Sequence, residues 1–447
     1  MDYNIGKFRT EKDAIAFIGW FIFAGTLTLL AASSKNGLFL LLALFAAFIG
    51  GALELWHRLG FRGVSVKQQT IPARVTIGED FMLEIAVENR KRLPMPWIEV
   101  TCEISADIPL SKYIAQSSYK AGKLDLISAF SLWSMDRIRR KFLFHATKRG
   151  YFIFGPVTVR MSDPFGWKVR EIRLLRSANA GIIIYPKVMD IGRFGLPAHS
   201  LLGEMKPFRH FLEDPLKVMG VREYIIGDDP RRIHWKNTAK AGALRSKIYD
   251  SSNKVDLLIA LNINTYPQIA MGHDENLLEL SITFAASISE WALEQKHSVG
   301  LLANCLLQSI QHVITAENSL ADEPLTKNAD TRLTYVPIGR NAVQGERMLN
   351  ALARLLTVWG SSMQQRLENI QSELPIGATI LYVGAIRALN DEIMAQLLAM
   401  QHAGMGIILA VTGEPNEEIQ VYTGSIPIFH IGGTELWNMI NGKSDET

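Results

Sequence analysis

Two uncharged runs open the chain: Ala14 to Ala32 (AIAFIGWFIFAGTLTLLAA) and, after the break SSKN, Gly37 to Leu53 (GLFLLLALFAAFIGGAL). At about 1.5 Å per helical residue, each run approaches the ~30 Å thickness of a hydrocarbon core. A pair of helices buried in a soluble core, or a signal peptide cleaved near LLAASS, would use similar residues, but two adjoining runs predict a transmembrane helical hairpin over 14–56. Beyond Arg62 the apolar period shortens to two. In VTIGEDFMLEIAVEN, Phe81, Leu83, Ile85 and Val87 alternate with Met82, Glu84, Ala86 and Glu88 after a Gly78-Glu79-Asp80 turn, the pattern of a half-buried hairpin. WIEVTCEIS, KFLFHA and YFIFGPVTVRM continue it, with turns at Leu93-Pro94-Met95-Pro96, Gly155-Pro156 and Asp163-Pro164-Phe165-Gly166. Short strands at this spacing predict an antiparallel, immunoglobulin-like β-sandwich over 63–186.

From Val255 onward the pattern changes again. VDLLIALNI is a compact apolar strand, ENLLELSITFAASISEWALEQ has helical spacing, and HSVGLLANC is a strand. GERMLNALARLLTVW, ATILYVGAI, NDEIMAQLLAMQHAG and MGIILAVTG carry the alternation on. Alternating strands and helices predict an α/β domain over 254–442 with a largely parallel, doubly covered sheet. The fold class is therefore multidomain α+β, with tails at 1–13 and 443–447 and a linker over 187–253. Polar loops are expected at Asn318 to Thr331 and Gly413 to Glu418.

Composition bears on location. The 447 residues are 48% hydrophobic, with the excess gathered at the N-terminus. Lys7, Arg9 and Lys12 precede the hairpin, Arg58, Arg62 and Lys67 follow it, and Lys35 alone sits in its turn. Positive charge prefers the cytoplasmic side, so the expected location is the inner membrane, with the N-terminus and the soluble domains in the cytoplasm. Cys102 and Cys305 lack metal-like spacing and fall in different expected domains, which suits a reducing compartment.

One segment of the linker is unusual. Val221 to Asp250 reads VREYIIGDDPRRIHWKNTAKAGALRSKIYD, with seven Lys/Arg, four acids, one His and one Trp. Asp229 before Pro230 reads as an N-cap, RRIHWKNTAKA as a short helix and Gly242 as its stop. On that helix the Trp235 ring would lie against Ala239 while the cationic heads face water, and His234 would be a hydrogen-bonded structural residue. Asp228, Asp229 and His234 are also the residue types of a metallohydrolase or acid/base enzyme, the principal alternative, although nothing elsewhere completes a triad or ligand set. A local charge of 7 − 4 = +3 without clustered Lys/Arg excludes a nucleic-acid groove and leaves anionic-lipid binding as a second alternative.

The same segment resembles the signature of a large bacterial family, domain of unknown function 58. The resemblance rests on Arg222, Glu223, Tyr224, Gly227, Asp228, Arg231, His234, Trp235, Lys236, Gly242, Leu244 and Lys247, and on the motifs KRGYFIFGP and DPFGW upstream. It implies a membrane protein acting with a MoxR-type AAA+ ATPase and other membrane proteins of the same system, and a C-terminal module like the von Willebrand factor A domain, Rossmann-like in its winding. Metal-dependent modules of that kind carry Asp-x-Ser-x-Ser after the first strand. Here the loop is Asn262-Ile263-Asn264-Thr265-Tyr266, whose neutral amides bring no charge to offset desolvation of a divalent ion, and ATILYVGAI does not end in an acid. No metal or other cofactor is expected. No phosphate loop, HExxH, GxSxG or long internal repeat occurs. The expected role is a non-catalytic scaffold in which the signature joins the two soluble domains through charge-assisted hydrogen bonds and offers a surface to a partner.

Overall fold

The computed structural model describes residues 22–441 apart from several breaks, the longest being 196–212, 309–332 and 414–425. The chain divides into two compact units, Met1–Ile184 with Ile310–Asp322 and Tyr185–Ser309 with Glu323–Thr447. The DPFGW turn, the loop at 318–331 and the tail at 443–447 lie outside the described residues, as does nearly all of the loop at 413–418.

The first unit is a β-sandwich preceded by a long helix, α1 (Gly37–Gly60). Its strands are β1 (Val64–Ile71), β2 (Arg74–Thr76), β3 (Asp80–Asn89), β4 (Met95–Ser105), β5 (Gln116–Ser117), β6 (Lys123–Leu132), β7 (Arg137–His145), β8 (Gly150–Phe154), β9 (Val157–Ser162), β10 (Val169–Arg173) and β11 (Ala180–Tyr185). They form antiparallel sheets in the orders β1-β3-β7, β10-β9-β4-β6-β5 and β2-β11-β8. Alternation places Phe81, Leu83, Ile85 and Val87 in one core with Ile98, Val100, Ile104 and Val159 from the facing sheet. Phe81 stacks on Phe144 at 5.3 Å, and Phe154 tilts against both.

The second face of β3 is less exposed than its sequence predicts: Glu84 and Ala86 are buried as well. The reason is that β3 is a central strand, with Gln69 and Lys141 opposite Glu84 on its two neighbours. Gln69 Nε2 donates to Glu84 Oε1 at 3.2 Å and the Arg139 guanidinium lies 4.0 Å away, so long polar side chains cover the carboxylate.

Helix α1 is tied to this unit at its C-terminal end, where Trp56 belongs to the sandwich core. Gly60 lies against Met161, whose terminal methyl would have to swing aside for any larger residue there. The uncharged run stops at Leu53, before Glu54, His57 and Arg58, and among the described residues no helix is long and apolar enough to cross a membrane. Of the first expected span, residues 14–21, 24 and 31 lie outside the described residues and the remainder is helical.

The second unit is a mixed α/β structure. Its strands β12 (Glu213–Glu223) and β13 (Arg245–Ser251) form a two-stranded antiparallel sheet. A larger sheet comprises β14 (Asp256–Leu261), β15 (Ser298–Leu307), β16 (Leu333–Gly339), β17 (Leu355–Trp359), β18 (Thr379–Ala385), β19 (Gly406–Thr412) and β20 (Ile428–Gly432). Its order is β16-β15-β14-β18-β19-β20, with β17 also on β15; β16 and β17 are antiparallel to β15, and the other pairings are parallel. Among the described residues, the helices of this unit are α2 (Trp235–Ala241), α3 (Glu275–Glu294), α4 (Gln344–Ala353), α5 (Met363–Ile370), α6 (Asp391–His402) and α7 (Thr434–Ile440).

Successive β14 residues serve opposite faces of the sheet. Leu257, Ile259 and Leu261 pack with Ile282, Phe284 and Ile288 of α3, whereas Leu258 and Ala260 pack with Met363 and Leu367 of α5 and Leu397 of α6. Burial on both faces is why the strand is an unbroken apolar run.

Two expectations need correction here. GERMLNALARLLTVW is not one helix, because α4 stops at Ala353 and Leu355–Trp359 becomes a strand edging β15. The segment 187–253 is more than a linker. Ile191 and Phe194 enter the core against α3, with the Phe194 ring 5.2 Å from Phe284.

Candidate functional site

The signature folds as an elaborated hairpin. Val221 pairs with Lys247, Arg222 with Ser246 and Glu223 with Arg245, and the connection between the strands folds back on β13. Asp229 caps a 3-10 turn over Pro230–Arg232 by accepting from Arg231 N at 2.9 Å, as the Asp-Pro sequence predicts. The expected continuous helix from Arg231 does not form. Ile233 turns extended, is buried and bridges to Ser246, so α2 starts only at Trp235. A strand bridge thirteen residues along the chain outweighs local helix propensity.

His234 becomes the cap of α2. Its backbone N–H donates to Arg245 O at 2.8 Å, and its Nδ1 accepts from Asn237 N at 3.2 Å. Thr238 Oγ1 accepts from Arg245 N at 3.0 Å, which lays the helix on β13. Gly242, at φ 66°, closes the helix in the left-handed conformation that favours glycine.

Asp228 is the electrostatic centre. Its Oδ1 lies 2.5 Å from Arg222 Nη2, its Oδ2 accepts from Ile225 N at 3.1 Å, and Tyr224 Oη donates to the Asp228 carbonyl at 3.0 Å. The Arg222 hydrogen bond, helped by the Ile225 amide, holds the Asp228 carboxyl below the usual carboxylate range. A lowered folded-state pKa contributes stability above the unfolded value that is lost as pH falls through the folded value. Protection against hydrogen exchange in the 222–228 turn, taken relative to the intrinsic rate at each pH, is therefore expected to fall only on acidification through that range, and to be low already at neutral pH in Asp228→Asn. Equal protection of both proteins at neutral pH would exclude this.

These contacts also change two readings of the segment. The Arg–Asp bond closes the signature on itself rather than reaching another domain. Both carboxylates and His234 Nδ1 accept from backbone amides, an arrangement that builds a turn rather than an acid/base pair. Gly227 lies outside the described residues.

Trp235 does not bury its ring against Ala239 as predicted; it is 69% exposed. Helix α2 spans only two turns and leans on β13 through Thr238, so Trp235 and Ala239 both face outward with Lys236 and Lys240. Ile225 is 63% exposed and Leu244 46%. The backbone bonds from Tyr224 N to Leu244 O and from His234 N to Arg245 O bring the three apolar residues to one end of the hairpin. Exposed Arg231, Lys236 and Lys240 border them, and Arg245 pairs with Glu223 at 3.4 Å.

A second place of interest is the carboxyl end of β14, where the strand order of the large sheet reverses and α/β folds commonly bind ligands. Register sets Asn262 between Asn304 on β15 and Gly384 on β18. Asn304 Nδ2 donates to Asn262 Oδ1 at 2.8 Å, and Asn264 N donates to the same oxygen at 3.1 Å. Asn262 Nδ2 donates to Tyr382 Oη at 2.9 Å, and Ile263 N to Asn304 Oδ1 at 2.9 Å. All three side chains are buried, and burial pushes the Tyr382 phenol well above its ordinary range. Thr265 Oγ1 accepts from Asp274 N at 2.6 Å, and the Asp274 carboxylate caps α3. Asn262 Oδ1 and Thr265 Oγ1 thus accept from protein N–H groups, and no cluster of metal-ligating side chains occurs among the described residues.

Asn304 carries no signal in the sequence, standing 42 residues from Asn262 inside an apolar strand. A cleft of about 500 Å³ in the second unit, lined by Asp190, Ser287, Glu290, Trp291 and Glu294, was equally hidden. Burial, with Glu294 nearby, pushes Glu290 above the usual carboxylate range.

No family model matches the chain, and no curated protein matches it. Among solved structures, part of the chain is similar to the CARDB domain of a Pyrococcus furiosus protein in complex with di-metal ions, at 15% identity and a TM-score of 0.18, covering 28% of this chain and 96% of that one. It is similar also to a non-cellulosomal cohesin from Archaeoglobus fulgidus, at 11% identity and TM-score 0.20, covering 27% and 90%. A cohesin module of a family 33 glycoside hydrolase from Clostridium perfringens aligns at 13% identity and TM-score 0.21, covering 27% and 95%.

Proposed function

We propose that the protein is a membrane-anchored, non-catalytic adaptor whose signature hairpin is a docking surface for a partner protein. The observation that carries the reading is the division of labour within the signature. Its acids and His234 accept from backbone amides, while Trp235, Ile225 and Leu244 face outward among cations. Aromatic and aliphatic anchors with a charged rim are what a protein interface uses. The resemblance to the domain of unknown function 58 family supplies the partner, a MoxR-type AAA+ ATPase, together with other membrane proteins of the same system. It supplies the finer fold as well: a transmembrane hairpin, with the soluble part in the cytoplasm, and a von Willebrand factor A-like module in the second unit.

Anchoring has its own support. Leu40, Leu41, Leu44, Phe45 and Phe48 of α1 are each more than half exposed and share one broad face of the helix, about 140° wide at 100° per residue. An exposed apolar face of large aliphatic and aromatic side chains fits an apolar environment.

Affinity capture of the full chain with its cognate MoxR-type ATPase tests the partner. Trp235→Ala is expected to abolish enrichment without altering thermal unfolding, because the ring has no core to leave. Failure to enrich the ATPase in any nucleotide state would remove it as the partner. The lipid alternative predicts instead that Trp235→Ala leaves capture intact and weakens binding to anionic vesicles.

A further inference from the structure

Beyond the signature, an exposed aromatic turn sits beside the end of α1. Trp133 and Met135, in the turn from β6 to β7, are 76% and 68% exposed. Met135 adopts φ 56°, a left-handed conformation unusual for a residue with a long side chain. A turn serving only to reverse the chain would place glycine or asparagine there at lower conformational cost.

Hydrogen bonds fasten this turn to the helix end. Met135 N donates to Lys91 O at 3.0 Å, Asn89 N donates to Asp136 O at 2.8 Å, and Asn89 Nδ2 donates to Trp133 O at 2.8 Å. Lys91 in turn donates through Nζ to the carbonyls of Leu59 and Gly60, the last of α1, and Arg90 N donates to Gly63 O at 2.8 Å. One lysine side chain therefore separates the Trp133–Met135 turn from the C-terminus of the apolar helix.

The level of the turn follows from the helix. Seven residues at about 1.5 Å each set Gly60 about 10 Å along the helix beyond Leu53, near the outer edge of a headgroup layer roughly 5–8 Å deep. Arg90, Arg92 and Arg137 are exposed around the turn, and with Lys91 they outnumber Glu88 and Asp136. Tryptophan, an apolar thioether and arginines at headgroup depth are the composition of an interfacial anchor on an anionic leaflet.

We propose that the Trp133–Met135 turn inserts into the headgroup region of the bilayer beside α1, fixing the first unit against the membrane surface. The inference rests on the reading of α1 as a membrane anchor. It gives the sandwich a second point of attachment, which restrains rotation about the helix axis.

The test uses the full chain in vesicles of phosphatidylcholine and phosphatidylglycerol, with a nitroxide on Ser134→Cys or on Phe45→Cys. Cys102 and Cys305 are both buried, and burial pushes the Cys102 thiol up to about 12, so the introduced cysteine takes the label. Collision with oxygen and with a water-soluble nickel chelate reports depth. The Ser134 label is expected at headgroup depth, with nickel accessibility rising several-fold when Trp133→Ser and Met135→Ser are added, while the Phe45 label stays deep throughout. A Ser134 label open to nickel in the parent chain, or indifferent to the double replacement, with Phe45 still deep, would overturn the inference alone. A Phe45 label open to nickel would overturn the anchor reading and this inference with it.

Discussion

Asn304→Ala is expected to destabilise the second unit by about 2–4 kcal/mol, the sum of an orphaned buried donor and a small cavity. The substitution strips Ile263 N–H of its acceptor and Asn262 Oδ1 of one of its two donors, in a strand that is buried from Val299 to Cys305. Asn304→Asp provides the control. It keeps an acceptor for Ile263 N but turns a second oxygen toward Asn262 Oδ1, where Nδ2 stands 2.8 Å away. A buried carboxylate of this kind has a raised pKa, so its penalty is absent well below pH ~4 and fully developed at neutral pH. Hydrogen exchange resolved to peptides from β14, β15 and β18 reads both effects separately from the first unit. A change under about 0.5 kcal/mol for Asn304→Ala, the range of an ordinary surface substitution, would show that the amide network is incidental.

Trp56→Ala is expected to cost the first unit about 3–5 kcal/mol, as emptying a large aromatic site in a closed core does. Trp56 alone among the described aromatic residues of α1 is buried; Leu55, beside it, is 58% exposed. Leu55→Ala should therefore lie within about 0.5 kcal/mol of the parent in the same detergent. Urea unfolding with exchange read on β3, β4 and β9 distinguishes the two. Proteolysis at residues 61–63 is expected to quicken in Trp56→Ala, as the helix end leaves Met161. Equal stability of both variants would mean that the helix is merely adjacent to the sandwich.

Much of the architecture was legible because it follows from backbone periods. The two-residue alternation of Phe81 to Val87 and the unbroken run of Leu257 to Leu261 each mark a strand and its degree of burial. The Asp229-Pro230 cap and the Gly242 stop were legible for the same reason, since both act over two to four residues. What escaped depends on partners distant in sequence. The β17 edge strand was hidden inside a helical pattern because its pairing partner Cys305 lies more than fifty residues upstream of Trp359. Glu84 reads as a solvent-facing residue until Gln69 and Arg139 arrive from the neighbouring strands.

The signature illustrates the same boundary. Its residues by themselves determine that a turn and a short capped helix form, because Asp, Pro and Gly act on their own backbone. They do not determine where the helix begins. The Ile233–Ser246 bridge decides that, and by moving the start to Trp235 it turns the ring into solvent and makes a cap of His234. At the end of β14 the sequence determines that the loop lacks a carboxylate. Only the sheet, by aligning Asn262 with Asn304, decides that a closed amide network occupies the place, since a hydrogen bond forms between atoms that the fold brings within 3 Å, whatever their distance along the chain.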